Sequence, residues 1–144
     1  MQIRLATDED APELWKLAEE FLASQVKLGA SDQGRALAFG MAYGIRNREA
    51  IVLAEEDGRL LGFVAWSGLP NADKREAIGL GTYVIPSARM RGISEQMREF
   101  AKRHLKEMGY SFVTTTVRDG NAGGLVSARN SGGRIVGYVV EWKL

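Results

Sequence analysis

Two arginines and a glycine stand between a β-type run and an amphipathic segment. The run ends at Val84-Ile85-Pro86, and the turn reads Arg89-Met90-Arg91-Gly92-Ile93-Ser94. The first amide groups of a helix lack partners within it and carry partial positive charge, so they bind anions such as phosphate. Guanidinium groups add charge and forked donors. A strand, a basic turn and a helix in this order therefore predict an anion site.

The segment after the turn has the period of a helix. Gly92 leaves no side chain between the backbone and a ligand, and Gly109 stands where a left-handed residue often ends a helix. We therefore predict a helix that begins after Gly92 and ends before Gly109. Its inward face is marked by residues at spacings of three and four, which are Ile93, Met97, Phe100, Ala101, His104, Leu105 and Met108.

Composition limits the class of protein. A chain of 144 residues is typical of a single domain, here residues 1–144, and a net charge of +1 does not favour nucleic acid or an anionic membrane as partner. The absence of cysteine excludes disulfides and zinc–thiolate sites, and no metal-ligand cluster is visible. No apolar run is long enough to span a bilayer, and the first residues carry acids where a signal peptide needs an apolar core. We expect a cytoplasmic protein.

The remaining patterns predict alternating strands and helices. Asp57-Gly58 between two apolar runs is a strong hairpin signal. Thr7 and Asp10 resemble a capping box at the start of the first helix. The predicted order indicates an α+β layered domain with a mixed, largely antiparallel sheet. We expect strands over residues 2–6, 51–54, 60–66, 76–85, 111–117 and 135–144, a loop over 69–74, and further helices over about 14–22, 32–47 and 121–130.

The basic turn resembles the acetyl-CoA pyrophosphate loop of the GNAT family of N-acetyltransferases, which reads Gln/Arg-x-x-Gly-x-Gly/Ala. Ser94 stands in place of the last small residue. The opening from Ile3 to Asp10 is similar to the family's Ile-Arg-x-Ala-x-x-x-Asp. The resemblance covers nearly the whole chain and implies a GNAT-like fold with helices on both faces of the sheet. It also implies transfer of an acetyl group from acetyl-CoA to a primary amine by direct attack in a ternary complex.

The resemblance also implies where acetyl-CoA lies. The pyrophosphate is expected on the turn, and the pantetheine arm where the fourth and fifth strands part. A backbone N–H near Val84 or Ile85 would then face the thioester carbonyl and stabilise its developing charge. Asn121 is a contact for the CoA arm or simply a helix cap. The implied cofactor-binding residues are Val84, Ile85, Arg89, Met90, Arg91, Gly92, Ile93, Ser94 and Asn121.

The general base that deprotonates the amine and the general acid that protonates the thiolate have candidates in the sequence. Glu76 lies on the fourth predicted strand, on the same face as Val84, and is the candidate general base, although it stands about two residues earlier than the family position. A solvated strand-end carboxylate and a water chain are the alternatives. The family's tyrosine acid is replaced by Ala128, and Tyr83 or Tyr138 could substitute only if it is not a core or rim residue. His104 is interpreted as structural.

The end of the chain also departs from the family. Only about ten residues follow Gly133, which is room for one strand where the family has a hairpin. A missing strand leaves a sheet edge open, so a homodimer through the C-terminal strand is predicted. The acceptor, a small-molecule or a protein amine, is not encoded in any readable motif. A module on the same fold that binds acetyl-CoA, or is purely structural, with little or no catalysis, remains the alternative function.

Overall fold

The computed structural model describes residues 1–26, 41–42, 44–47, 50–68, 75–117 and 119–144. The predicted loop at 69–74 and most of the second predicted helix lie outside these residues, although 41–42 and 44–46 are helical. The strands are β1 (Gln2–Leu5), β2 (Ile51–Glu56), β3 (Arg59–Gly68), β4 (Glu76–Val84) and β5 (Phe112–Thr114). The helices are α1 (Ala11–Val26), α2 (Ile93–Glu107) and α3 (Ala122–Asn130).

The five strands form one mixed sheet in the order β1-β2-β3-β4-β5. Every pairing is antiparallel except that of β4 with β5, which is parallel. Asp57 and Gly58 connect β2 to β3 with φ values of 51° and 75°, as a two-residue hairpin turn of the left-handed type requires. The predicted mixed, mostly antiparallel sheet is thus confirmed.

Helices cover both faces of this sheet. All nine residues that follow Arg59 in β3 are buried, and because successive strand residues point to opposite faces, neither face is open to solvent there. On one face, Phe21 of α1 packs edge-on against Phe63 and Tyr83, with ring centroids 5.9 and 6.5 Å apart. The other face is covered by α2, which buries Ile93, Met97, Ala101 and Leu105.

The helix α2 ends as its sequence predicts. Gly109 has a φ of 97°, and its N–H donates to the carbonyl of Lys106 at 3.0 Å. The N–H of Tyr110 donates to the carbonyl of Leu105 at 3.0 Å, which completes a Schellman motif. This end directs the chain back toward β5, parallel to β4.

The pairing of β4 with β5 is short. It covers only Glu76↔Phe112, Ala77↔Val113 and Ile78↔Thr114. The strand predicted over residues 111–117 is therefore reduced to three residues, because the two strands diverge after this point. Between residues 80 and 84, β4 has no β5 partner in the part of the chain that the structure describes.

The prediction of a final strand in the sheet is wrong for the single chain. Among the described residues, 134–144 belong to no strand. The turn after α3 is closed by the N–H of Gly133, which donates to the carbonyl of Ala128 at 2.9 Å, and Gly132 has a φ of 88°. Residues 134–144 are all exposed, and Tyr138 and Trp142 are 89% and 77% exposed.

Arg4 joins β1, β2 and the turn that starts α1. Its Nη1 and Nη2 atoms donate to the two oxygens of Asp10 at 2.8 and 2.7 Å, and its Nε donates to Glu55 at 2.8 Å. The N–H of Thr7 also donates to Asp10 at 2.7 Å. The hydrogen bonds from Arg4, with that from Thr7, lower the pKa of Asp10 from 3.8 to about 2.

We expect Asp10→Asn to lower the free energy of unfolding at neutral pH by about 1–2 kcal/mol, because it replaces a carboxylate that Arg4 binds with two hydrogen bonds. A carboxyl group whose pKa is lower in the folded than in the unfolded state stabilises the fold at pH values above its unfolded pKa. This stability is lost as the pH falls through the folded-state pKa. The difference between variant and native protein should therefore shrink as the pH falls from 3.8 through about 2. Urea unfolding across this range measures it. Asp8→Asn, an exposed carboxylate of the same turn, is the control and should change little.

Gly62→Ala is expected to destabilise the sheet by about 1–3 kcal/mol through overpacking. A Cβ atom at Gly62 would lie 2.4 Å from the carbonyl oxygen of Tyr83 and 3.1 Å from Cα of Val84, and neither backbone atom can move without shifting β4. Thermal unfolding measures the loss. At Gly123 a Cβ atom would meet nothing within 4 Å, so Gly123→Ala should be neutral or stabilising, and equal melting temperatures for both variants would contradict this packing argument.

Candidate functional site

The site lies where β4 ends and α2 begins, beside the gap left by β5. A short 3₁₀ turn, Pro86–Ala88, connects the strand end to the basic turn. The structure therefore brings the strand end at Val84 and Ile85 next to residues 89–94, as the sequence predicted. The burial of Ile85, Ala88 and Ile93 anchors this connection to the core.

The backbone of the basic turn has the alternating hand from which anion-binding concavities are built. Met90 and Gly92 have φ values of 63° and 70°, whereas Arg91 between them has a negative φ. Residues of alternating hand turn successive N–H groups toward one side and form an anion-binding concavity. The first helical bond of α2 runs from the N–H of Gln96 to the carbonyl of Gly92, at 3.1 Å. The N–H groups at residues 93–95 thus have no acceptor within the helix.

Gly92 is needed for its conformation, not for space. A Cβ atom built there would meet nothing within 4 Å, but its positive φ is strained for any residue with a side chain. Met90 bears that strain as a non-glycine residue, and its side chain is fully exposed. These two residues therefore contribute backbone geometry to the turn.

Both arginines of the turn have protein partners in this structure. The Nε of Arg89 donates to the carbonyl of Val84 at 3.0 Å, and its guanidinium carbon lies 5.7 Å from the centroid of the Tyr83 ring. Arg91 makes two hydrogen bonds to the carboxylate of Glu56, at 2.8 and 3.1 Å. This contact lowers the pKa of Glu56. An anion on the turn would therefore compete with Glu56 for Arg91.

The hydrogen bonds of β4 decide between the two predicted backbone donors. The N–H of Ile85 donates to the carbonyl of Leu61 at 2.9 Å, so it faces β3 and is already used. Successive N–H groups of a strand point to opposite edges, so the N–H of Val84 faces away from β3, toward the gap that β5 leaves beside β4. The same alternation turns the N–H of Thr82 toward the gap. The sequence analysis did not single out Thr82, because its strand pairing cannot be read from composition.

Glu76 does not lie near these donors. It stands eight residues before Val84 on the same strand, which at about 3.3 Å per residue places it about 25 Å away. Its carboxylate accepts a hydrogen bond from the hydroxyl of Thr114 at 2.6 Å, at the closed end of the β4–β5 pair. This geometry argues against the prediction that Glu76 and Val84 act on one substrate.

A different carboxylate lies close to the strand end. The hydroxyl of Tyr83 donates to Glu20 of α1 at 2.8 Å. Burial raises the pKa of Tyr83, and the bond to Glu20 adds to the rise, whereas Arg89 opposes it. Because Arg89 contacts both the Val84 carbonyl and the Tyr83 ring, this pair borders the same gap. Glu20 escaped the sequence analysis because it is one of several exposed acids on α1.

The helix α3 follows β5 in the chain and is held to α2. The Oδ1 of Asn121 accepts from the N–H of Gly124 at 3.0 Å, so the capping alternative predicted for Asn121 is present. Polar contacts hold α3 to α2, since Nη2 of Arg98 donates to the Ser127 hydroxyl at 2.8 Å and Lys102 donates to the Ser131 carbonyl at 3.2 Å. No residue of α3 is buried. Its attachment is therefore polar.

Two classes of site were also sought among the described residues. No group of three or more histidine, cysteine, aspartate or glutamate side chains there could hold a metal ion. No helix in the same residues has the length and apolar content to cross a bilayer. The cytoplasmic location stays a prediction.

Comparison with known proteins identifies the family. The model of the acetyltransferase (GNAT) family matches residues 11–125, which is most of the chain. The matched segment contains α1, the whole of β4 and the basic turn. A search of curated proteins found no match.

Solved structures of low sequence identity share the fold. The aminoglycoside acetyltransferase AAC(6')-Iy, in complex with a bisubstrate analogue of CoA and acetylneamine, is 18% identical with a TM-score of 0.77, covering 99% of this chain and 97% of that one. The 6'-N-acetyltransferase AAC(6')-IG of Acinetobacter haemolyticus is 17% identical, with a TM-score of 0.74 and coverage of 100% and 98%. A ribosomal-protein-alanine N-acetyltransferase of Brucella melitensis biovar Abortus 2308 is 22% identical, with a TM-score of 0.68 and coverage of 99% and 100%.

These findings confirm three predictions made from the sequence. The fold is the α+β fold of these enzymes, the protein is an acetyltransferase, and acetyl-CoA is its co-substrate. The individual site residues and the acceptor stay predictions. On the match over residues 11–125, the chain belongs to the acetyltransferase (GNAT) family.

Proposed function

We propose that the protein transfers the acetyl group of acetyl-CoA to a primary amine by direct attack in a ternary complex. The observation that carries the proposal is the N–H of Val84, which faces an unpaired strand edge next to the anion-type turn at Gly92. Structures of similar fold include enzymes named for aminoglycoside and for ribosomal-protein-alanine acceptors. Small-molecule and protein amines are therefore both candidates.

Acetyl-CoA is expected to extend from the turn into the gap. Its diphosphate would bind the amides of residues 90–94, and Arg91 would exchange Glu56 for a phosphate oxygen. The pantetheine arm would pair with the open edge of β4, where Arg89 now occupies the carbonyl of Val84. Asn121 would contact the arm from α3 while its Oδ1 still caps the helix.

The chemical step uses the strand end. A neutral amine attacks the thioester carbon, and the carbonyl oxygen becomes negative in the tetrahedral intermediate. The N–H of Val84 would donate to this oxygen, and one such donor contributes about 3 kcal/mol in comparable sites. The intermediate collapses to the amide and expels the CoA thiolate, which takes a proton from water because Ala128 offers no acid.

Glu20 is the proposed acceptor of the proton that the amine loses. Its carboxylate accepts a hydrogen bond from Tyr83, the residue before Val84, and it is exposed on α1, where an incoming amine can reach it. A carboxylate also attracts the ammonium form of the acceptor. Glu76, at the far end of β4, would have no part in this step.

Charge reversal tests the diphosphate site. We expect Arg91→Glu to weaken acetyl-CoA binding about tenfold or more, which is about 1.4 kcal/mol, because it replaces a phosphate partner with a like charge. Glu56→Gln should leave the affinity equal or higher, since it removes the competitor of the phosphate for Arg91. Isothermal titration calorimetry measures both. Lys106→Glu, an equal charge change at an exposed site near the other end of α2, is the control. An Arg91→Glu protein with native affinity would contradict the proposed site.

Thiol release from acetyl-CoA across a panel of amines tests the reaction and its base. The native protein should release thiol only with an amine present, and Glu20→Gln should lower kcat/KM about a hundredfold without changing acetyl-CoA affinity. Glu19→Gln, its exposed neighbour, and Glu76→Gln should keep the native rate. If the native protein binds acetyl-CoA but releases no thiol with any amine, the alternative of a binding module would replace the enzyme. Native turnover in Glu20→Gln would reject only the role of Glu20.

A further inference from the structure

A cavity of about 720 Å³ opens beside the first strand of the sheet, here called the β1 cavity. It lies between the end of β1 with the loop that follows it, the first turns of α1, and the helical residues 41–42 and 45–46. Small-molecule sites in proteins commonly enclose about 300–1,000 Å³. The β1 cavity therefore has the size of a ligand site, and none of its described lining residues belongs to the acetyl-CoA site.

The floor of the β1 cavity is apolar. Leu14 and Met41 are each 2% exposed, and Leu5 and Ile45 are half-buried beside them. Trp15 also lines the cavity, but it is 42% exposed. A large aromatic side chain on the wall of an apolar cavity gains free energy when an apolar or aromatic body covers it. The floor and this wall therefore favour a ligand with an apolar body.

Two side chains of opposite charge also line the β1 cavity. Asp8 lies in the turn before α1, and Arg46 lies in the helical residues 44–46. Both are exposed, and in the part of the chain that the structure describes neither side chain has an ion pair or a hydrogen bond, with the other or with a third residue. Both charges are therefore available to a ligand.

We propose that the β1 cavity is a second ligand site, which binds a free amino acid with a large apolar side chain. The ammonium group would pair with Asp8, and the carboxylate would accept forked hydrogen bonds from Arg46. The apolar side chain would lie on Leu14 and Trp15. A ligand with only one charged group would leave the other charge of the cavity without a partner. The zwitterion is therefore preferred over an amine or an acid of the same shape.

The β1 cavity is separate from the acetyl-CoA site. It lies at the first strand of the sheet, whereas the gap proposed for CoA lies beside β4, and the strand order puts β2 and β3 between them. Three strand spacings of about 4.8 Å separate β1 from β4 by about 14 Å. An amino acid in the cavity would therefore not compete with CoA for space. The proposal does not rest on acetyl transfer, and its test contains no acetyl-CoA.

Three matched compounds test the proposal. L-phenylalanine has both charged groups, whereas 2-phenylethylamine lacks the carboxylate and 3-phenylpropionate lacks the ammonium. Each is titrated into the full ¹⁵N-labelled chain, and the indole N–H signal of Trp15 is followed. The chain has three tryptophans, and Trp15→Phe identifies the signal by removing it. L-phenylalanine should shift this signal with an affinity about tenfold or more above that of either analogue. Saturating CoA should leave that affinity unchanged.

Variants that remove one charge assign the two charged groups. Asp8→Asn should weaken L-phenylalanine about tenfold and leave 3-phenylpropionate unchanged, because only the ammonium loses its partner. Arg46→Gln should weaken L-phenylalanine and 3-phenylpropionate and leave 2-phenylethylamine unchanged. Glu9→Gln and Arg129→Gln remove exposed charges that do not line the cavity. They are the matched controls and should bind L-phenylalanine as the native protein does.

Three results would overturn the proposal. The first is a Trp15 signal that stays in place up to the solubility limit of L-phenylalanine. The second is an affinity for L-phenylalanine that neither Asp8→Asn nor Arg46→Gln changes, which would mean that the two charges do not hold the ligand. The third is an affinity that falls in Glu20→Gln but not in the two cavity variants, which would place the amino acid in the acceptor site of the proposed reaction.

Discussion

The hydrogen bond from the N–H of Ile85 to the carbonyl of Leu61 sets the geometry of the whole site. It commits one edge of β4 to β3 and, by the alternation of a strand, turns Thr82 and Val84 toward the other edge. That edge has no strand partner among the described residues, because β5 leaves β4 after Ile78. A parallel strand that pairs for three residues and then diverges yields an unpaired strand end within a folded domain. Such an edge is a place where an extended ligand can pair.

Both arginines of the basic turn have protein partners in this structure. Arg89 donates to the carbonyl of Val84, and Arg91 of the basic turn donates to Glu56 at the end of β2. A bound diphosphate would replace Glu56 as the partner of Arg91, and a bound pantetheine arm would replace Arg89 at the carbonyl of Val84. The affinity for acetyl-CoA is therefore a difference between two sets of hydrogen bonds, and the exposed Arg91–Glu56 pair contributes little stability of its own. The backbone concavity at Met90 and Gly92 requires no such exchange.

Much of the fold could be predicted from local sequence. The three-and-four spacing of α2, the Asp57-Gly58 hairpin and Gly109 as the end of α2 are properties of adjacent residues, and each was confirmed. The basic turn followed from its place between a strand and a helix. The pairing of Glu76 with Val84 as catalytic residues stays a prediction, and the geometry of β4 argues against it. The alternation of side chains predicted that the two residues share a strand face, but eight residues of extended chain separate them.

The parts that could not be predicted depend on contacts between distant segments. Glu20 meets Tyr83 only after α1 crosses the sheet, and nothing near Glu20 in the sequence distinguishes it from Glu19. The choice between Val84 and Ile85 required the pairing of β4 with β3. The alternation of apolar residues near the end of the chain predicted a final strand, but residues 134–144 belong to no strand of the described sheet. Local pattern thus predicts which elements form, and packing decides which edges stay open.

The central claim is that CoA lies along the open edge of β4 with its diphosphate on the turn at Gly92. The most direct test is a titration of the ¹⁵N-labelled protein with CoA, followed by residue-resolved amide chemical shifts. The account predicts the largest shifts at the amides of Gly92, Ile93 and Ser94, with a clear shift at Val84 and a smaller one at Ile85, whose N–H stays bonded to Leu61. Shifts that leave Val84 and the residues 92–94 unchanged while CoA binds elsewhere would contradict it.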